Sequence, residues 1–505
     1  MFLKHFLVFH SDIFFYILAL SLMSVKKFIH NFFQLQIQCY KDRIQRGVSA
    51  TNRCIYPIFS LSHLFVALLF IMKSKLITGT LILTIAGFLT RILGFFYKLL
   101  LSNILGTELL GIYQLIFPIY GLCFTLYASG IQTAISKMVA ENTKGKEALS
   151  KKILSIGIGL SLSIAIFCSL FLYISADFIA SDIIKEPRCS QSLKLLCGVF
   201  PACSMSACIN GFYYGQKQTM HPAIAQLIEQ ISRIIFSVLY IVCYAQKTSL
   251  FSCETAVIAI FVGELTAAIY NLFILQYSSK KITSKSTVST HKIFKQLCIF
   301  SIPLTTTHLI ISLLHSIEAI LIPNLLQKSG MTLSESLSIY GILTGMTMSL
   351  LMFPSTITNS LCVLLLPSIS EAAAEQNRAY INKAIRYSFT YSLIIGGFIG
   401  LCFLITGPQL GLLLFKNRLS GVFLQNLSWL CPMLYLSSTL SSILNGLGKM
   451  KVTFRNTSIG LFLRIILLVI LIPYYGISGY FYSLLISQFI SSAMDVWIIR
   501  KSKYS

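Results

Sequence analysis

The chain has 505 residues, of which 55% are hydrophobic and only 11% charged, with a mean hydropathy of +0.78. A water-soluble domain carries about 25% charged residues, so composition excludes a soluble globule and leaves an integral membrane protein. The net charge of +24 would point to nucleic acid in a soluble chain, but here the cations must first be located relative to the apolar segments.

Residues 6–23 (FLVFHSDIFFYILALSLM) and 55–71 (IYPIFSLSHLFVALLFI) are apolar enough to enter a bilayer, with the basic KDRIQRG between them. They read either as two extra helices, giving fourteen in all, or as sequence upstream of a start at Met72, where MKSKLITG leads into a first transmembrane helix. The second reading is preferred, and neither changes the orientation of the later helices. His10, Asp12 and the lack of a small-residue cleavage site argue against a secretory signal.

From Met72 onward, apolar runs of about 20 residues recur between short polar loops, the length a helix needs to cross a bilayer. They predict twelve helices, near residues 76–101, 109–130, 153–174, 194–215, 222–243, 254–276, 294–322, 338–366, 387–406, 424–445, 456–473 and 477–499. The polar, basic linker 278–292 (SSKKITSKSTVSTHK) divides six helices from six. The domain reading is an extension 1–71, a first six-helix lobe 72–277, a cytoplasmic linker 278–292 and a second lobe 293–505. The loop cations alternate. Lys73, Lys137, Lys217, Lys280, Arg378, Lys449 and Arg500 belong to a set of 22 at one membrane face, against 8 at the other. The positive-inside rule makes the first face cytoplasmic, with the C-terminus there. The positive charge then reports topology and attraction to anionic lipid headgroups, with no nucleic-acid partner.

The two halves resemble each other. Pro201, Gly215 and Arg233 recur as Pro432, Gly446 and Arg464 at a constant offset of 231. Phe117 and Pro118 precede ISKMVAEN from Ile135, as Phe353 and Pro354 precede ISEAAAEQN from Ile369. Duplicated six-helix halves keep one orientation, which predicts parallel repeats with a site between them near the midplane.

Charges inside the predicted spans are the candidate site. Gly87, Arg91, Gly94 and Lys98 share one face of the first helix by their spacing. A charge at the bilayer centre costs at least about 2.5 kcal/mol. Two readings of the stripe stand: a cavity wall that binds phosphate or pyrophosphate through bidentate Arg donors, or a glycine-mediated helix contact with Lys98 snorkelling to the outer interface. On the fifth helix Glu229 and Arg233 stand four apart with the acid first, the favourable order for an intrahelical pair. Such a pair either serves substrate and gating or only makes Arg233 tolerable in lipid. Arg464 has Gly460 where that acid would be, and so needs a partner from another helix, water or ligand. Glu264 and Glu318 read as ion-coupling sites or as counter-ions for Arg91, Arg233 or Arg464. His308 and His315 share a face of the seventh helix, but read as interhelical hydrogen-bond partners rather than relays. Pro118, Pro201, Pro303, Pro354 and Pro432 interrupt predicted spans and are consistent with hinges.

The 14 cysteines fall nearly all in apolar spans and behave as small apolar residues. No Cys or His grouping has zinc spacing, so no metal or cofactor is expected. No G-x-x-x-x-G-K-[ST] loop occurs, which excludes ATP hydrolysis of that kind. No loop is long enough for a catalytic domain, and the chain does not read as an enzyme.

The segments AGFLTRILGFFYKLLLSNILG, LLGIYQLIFPIYGLCFTLYASGIQTAISKMVAE, GFYYGQKQTMHPAIAQLIEQISRI and LLLPSISEAAAEQNR resemble the stage V sporulation protein B group. That group lies in the polysaccharide-exporter branch of the multidrug, oligosaccharidyl-lipid and polysaccharide flippase superfamily. The resemblance covers Met72 to the C-terminus and is weaker after Leu401. It implies two six-helix lobes in a V, alternating access, and a lipid-linked saccharide substrate carried on undecaprenyl pyrophosphate for spore or cell envelope synthesis in a bacterial cell membrane. Arg91 matches an essential arginine in an Arg-[IV]-Leu-Gly-Phe sequence of the related lipid II flippases. Tyr97, beside Lys98, stands where those have a second arginine, and GIYQ from Gly111 where they have an acid.

The expectation is therefore a flippase in which Arg91 binds the pyrophosphate, aided by Arg233, Arg464 or Lys98. Glu229, Glu264 and Glu318 would balance charge or couple H+, Na+ or the membrane potential. The alternatives are a cation-coupled multidrug exporter of the same superfamily, with acids dominating its cavity, and a non-transporting scaffold for envelope-synthesis enzymes, with essential loops such as 141–152.

Overall fold

The computed structural model describes residues 75–141, 147–244, 252–279 and 289–504. The extension 1–71, most of the linker 278–292 and the core of the loop 141–152 lie outside the described residues. Every described element is helical. Apolar residues fill most of the long runs, and a helix satisfies its own backbone groups where lipid offers no partners.

The first two predicted spans form one continuous element, α1 (Lys75–Phe124), broken in direction at Gly106 (φ 74°, ψ −178°). The positive φ is one that glycine adopts without strain. A wider π turn, Thr125–Ser129, leads into α2 (Gly130–Glu141), completing the second span. There follow α3 (Glu147–Phe178), the pair α4 (Cys189–Leu196) and α5 (Val199–Gly215), α6 (Met220–Tyr244) and α7 (Cys253–Ser279). The second half holds α8 (Thr290–Lys328), a span in pieces made of α9 (Leu333–Gly341), α10 (Met348–Met352) and α11 (Ser355–Ala374), then α12 (Arg378–Phe415). It ends with the pair α13 (Arg418–Leu427) and α14 (Leu430–Gly446), then α15 (Met450–Tyr475) and α16 (Ile477–Tyr504). Several helices run past their predicted ends, because basic and polar residues continue a helix into the interfacial layer.

The internal repeat is visible in the packing. The fourth span bends by 43° between α4 and α5, and the tenth by 59° between α13 and α14. Pro201 and Pro432 are the third residues of α5 and α14, within the first turn, where a missing N–H costs nothing. Pro354 likewise sits at a helix start, preceding α11, whereas Pro118 and Pro303 lie inside continuous helices. Gly215 packs on α2, where a Cβ would fall 2.6 Å from the Ser136 carbonyl. Its counterpart Gly446 packs on α11, 2.9 Å from the Ile369 Cβ by the same construction. Thus the sequence match between Ile135 and Ile369 corresponds to a matched helix contact.

The halves meet tightly at the end bearing few loop cations. A Cβ on Gly111 of α1 would fall 2.1 Å from the Leu337 carbonyl of α9, and one on Gly341 would fall 2.2 Å from the Thr107 carbonyl. Small residues let the two backbones touch. Beside them Arg188 donates through Nη2 to Glu108 Oε1 (2.8 Å), and Ser334 Oγ donates to Glu108 Oε2 (2.7 Å). The Ser334 hydroxyl, then Arg188, holds the Glu108 carboxyl below the usual glutamate range. A depressed carboxylate stabilises the folded contact above its ordinary pKa and loses that effect as pH falls through the lowered value.

Gly341→Val is expected to open this end. Spin labels at Asp182 and Leu419, on cysteines introduced after the accessible native ones are removed, should separate by several ångströms. Acidification below the glutamate range, or Glu108→Gln at neutral pH, should shift the distribution the same way but less, since Glu108 is partly exposed. An unchanged distance in Gly341→Val would contradict the backbone contact.

Candidate functional site

In the first half, one turn of α6 places Glu229 and Arg233 on one face, and Arg233 Nη2 donates to Glu229 Oε1 at 2.6 Å. The Arg233 and Glu229 side chains are 14% and 19% exposed. Gly263 of α7 brings the next helix against this turn, since a Cβ there would lie 2.9 Å from the Glu229 carbonyl. That contact carries the neighbouring Glu264 into the same region, within electrostatic reach of both Glu229 and Arg233. Glu264 Oε1 accepts from the Tyr120 hydroxyl at 3.2 Å, and Tyr120 lies 3.5 Å from Cys203 Sγ. Tyr97 of α1 is buried with its ring 6.0 Å from the Arg233 guanidinium carbon, and its hydroxyl accepts from Ser237. Arg233 Nε is buried without a partner. Five spans thus enclose two carboxylates and one guanidinium, an odd charge balance.

In the second half the balance is even. Arg464 donates through Nη1 to Glu318 Oε1 and Oε2 (3.3 and 3.4 Å), and through Nε to Ser487 Oγ (2.9 Å). His315 Nδ1 is 3.5 Å from Glu318 Oε2. The missing acid on α15 is therefore supplied by α8, because Gly460 occupies its position. A Cβ at 460 would lie 3.1 Å from Ser491 Cβ, so the glycine also lets α16 close on α15 and deliver Ser487. A cavity of about 430 Å³ borders the pair, lined by His315, Glu318, Gly460, Arg464, Tyr480 and Gln488 among others. Another, of about 510 Å³, lies between α1 and α8 and is lined by Gln114, Thr125, His308, Ser312 and His315. His315 belongs to both cavities. Gln114 Nε2 is buried without a partner, and His308 Nδ1 is 3.1 Å from Ser129 Oγ.

Arg91 and Lys98 join neither group. Arg91 is exposed and Lys98 half-buried, and neither makes a hydrogen bond or ion pair among the described residues. A Cβ on Gly87, one turn before Arg91, would meet nothing within 4 Å, whereas one on Gly94 would just reach Gln230 at 4.0 Å. The glycines beside Arg91 thus border open space rather than a tight helix contact. Among the described residues no cluster of His, Cys, Asp and Glu has the geometry of a metal site.

The family model for polysaccharide biosynthesis proteins matches residues 76–373. The chain belongs to that family. It is 28% identical over 417 residues to stage V sporulation protein B of Bacillus subtilis, covering 81% of this chain and 80% of that protein. It is 26% identical over 434 residues to the lipid II flippase MurJ of the same organism, covering 79% and 78%. In structure it resembles a MOP superfamily transporter from Pyrococcus furiosus with a TM-score of 0.64 at 13% identity, covering 85% of this chain and 96% of that one. This polysaccharide biosynthesis family member is a multi-span helical membrane protein with the transporter fold of that superfamily.

Sequence reasoning paired Glu229 with Arg233 but left open which acid answers Arg464, and it did not find Tyr120, Cys203 or Ser487. A lone hydroxyl or thiol in an apolar run carries no signal until a second helix is placed against it.

Glu318→Ala should destabilise the protein by about 3–5 kcal/mol, since it leaves the Arg464 guanidinium buried without its counter-ion. Replacing both residues by methionine should recover most of that loss, and Arg91→Ala should stay within about 0.5 kcal/mol of wild type. Thermal unfolding in detergent checks all three; equal losses for Glu318→Ala and Arg91→Ala would contradict the pairing.

Proposed function

We propose that this protein is a flippase that moves a lipid-linked saccharide, carried on undecaprenyl pyrophosphate, from the cytoplasmic to the outer leaflet of a bacterial cell membrane by alternating access. The observation that carries the reading is Arg91: a cation on an apolar helix, exposed and unpaired among the described residues, with open space one turn away at Gly87. A guanidinium left without a protein counter-ion suits a diphosphate, which accepts its paired donors. The relationship to stage V sporulation protein B and to the lipid II flippase supports the substrate class. The excess of loop cations at one face supports a cytoplasmic C-terminus.

In this reading Arg91 is the first contact for the pyrophosphate, and Lys98, two turns further along the same stripe, is the next. Arg233 and Arg464 are held by Glu229 and Glu318, so they reach substrate only after a carboxylate is released. Protonation or cation binding at Glu229, Glu264 or Glu318 would change that pairing, which gives an ion gradient a route to bias the two states. The cavity lined by Gln114, Ser312 and His315 offers amide, hydroxyl and imidazole groups suited to a sugar headgroup. Envelope-synthesis enzymes would supply and consume the substrate. The surplus carboxylate of the first half favours one competing reading, a cation-coupled drug exporter.

Proteoliposomes loaded with a fluorescent lipid-linked disaccharide test the proposal. Transfer faster than in empty vesicles is expected for wild type, with a loss of at least about tenfold in Arg91→Ala and partial activity in Arg91→Lys, which keeps charge but loses the bidentate fork. Undiminished transfer in folded Arg91→Ala would overturn the role of Arg91. Export of organic cations without lipid transfer would establish the exporter instead.

A further inference from the structure

Four polar side chains of the first half hold buried atoms that have no hydrogen-bond partner. Asn271 of α7 is 0% exposed and lacks partners at both Oδ1 and Nδ2, and Ser206 of α5 is 5% exposed and lacks one at Oγ. Asn210 Oδ1 of α5 and His221 Nδ1 of α6 are buried in the same way. A buried polar atom left unsatisfied costs stability, so a group of them in one half of a bundle calls for a common explanation.

They stand in one column. α5 and α7 both run toward the cation-rich end, since Lys217 follows α5 and the basic linker follows α7. Cys203 of α5 and Glu264 of α7 lie level, joined through the Tyr120 hydroxyl. Seven residues further along, each helix presents the same face about 10 Å nearer that end. This step places Asn210 and Asn271 level with each other, and Ser206 falls between Cys203 and Asn210. Leu272 and Leu275 of α7 pack against the apolar cluster that includes Ile209 and Phe212, so the two helices stay together at this depth. Where the column ends, the His221 ring of α6 meets Tyr213 of α5 with 4.7 Å between centroids.

The four side chains mix donors with acceptors and include no carboxylate. The Asn271 Nδ2 group would repel a bare metal ion, whereas water can donate to one neighbour and accept from the next. We propose that Ser206, Asn210, His221 and Asn271 line a hydrated path through which Glu264 exchanges protons with the cation-rich face of the membrane. Water in this column satisfies the orphan atoms and passes on a proton that enters beside His221. The last water protonates the Glu264 carboxylate, and release reverses the steps. The groups that face Glu264 are Glu229 and Arg233 of α6, Tyr120 and Tyr127 of the second span and Cys203 of α5. A proton on Glu264 therefore removes the surplus acid of this half. The path bypasses the cavity between the halves, so it serves Glu264 whatever that cavity holds. The inference rests on the reading that ion exchange at the buried acids biases the two states, but not on the substrate being a lipid-linked saccharide.

The test follows protonation of Glu264 directly, without lipid substrate, in the full chain in nanodiscs. A light flash releases protons from a caged acid, and time-resolved infrared absorption follows the carboxylic acid band that Glu264→Gln removes. Wild type should gain this band. Asn271→Leu should reach the same final amplitude at least about tenfold more slowly, and Asn271→Ser, which keeps a polar group and leaves room for water, should stay within about twofold of the wild-type rate. An unchanged rate in folded Asn271→Leu overturns the path, as does a wild type in which no band depends on Glu264. An Asn271→Ser as slow as Asn271→Leu would show that packing alone set the rate, which also overturns it. So would a marked rise in unfolding temperature in Asn271→Leu, because a dry orphan amide gains stability when replaced by an apolar group of similar shape. If Asn271→Leu fails to fold, Ser206→Val decides by the same readout.

Discussion

Burying charge in an apolar bundle is the constraint on which the rest of this structure depends. Lipid supplies no water to solvate a guanidinium or a carboxylate, so each must find an opposite charge, a hydrogen-bonding partner or an aqueous cavity. The protein uses the first two for its paired arginines. Arg233 is matched within its own helix by Glu229, Arg464 across helices by Glu318 and Ser487, and Arg91 is exposed with no partner among the described residues. The first two arginines are part of the framework as it stands, while the third has its donors available.

The duplicated halves show how one substitution changes this framework. Both arginines occupy equivalent positions after equivalent bent spans. Where Glu229 precedes Arg233, Gly460 precedes Arg464, and losing that side chain has two consequences. The counter-ion must come from α8, and α16 can approach α15 closely enough for Ser487 to reach the guanidinium. A pair local to one helix in the first half thus becomes a three-helix tie in the second. The first half keeps a surplus acid in Glu264, placed by the Gly263 contact and held by Tyr120. The two halves are thus alike in their bent spans but differ in charge chemistry.

The contact between halves has a different physical origin. At Gly111 and Gly341 it is backbone against backbone, with no room for a side chain, flanked by the Arg188, Glu108 and Ser334 network. Such close packing is gained or lost as a unit, since a small displacement forfeits most of the dispersion contact. In the proposed alternating access, this contact is the one expected to be complete in one state and absent in the other.

The sequence by itself determined the membrane class and the helical architecture, and it displayed the repeated spacings of the two halves. Hydrophobic run length and helix self-satisfaction in lipid are properties of the chain read locally, and repeated Pro, Gly and Arg spacings survive without any knowledge of packing. It also singled out the charges within the spans, because each is costly wherever it sits in a bilayer. Only the tertiary structure decided which charge answers which. Glu229 and Arg233 were legible as a pair because one helical turn joins them, whereas Glu318 and Arg464 are separated by 146 residues and meet through the packing of two helices. The same holds for Tyr120 at Glu264, and for Asp495 with Asn456, which lie 39 residues apart and meet between two helices. Local periodicity fixes which face of a helix a residue occupies, but the neighbour on that face is set by long-range packing.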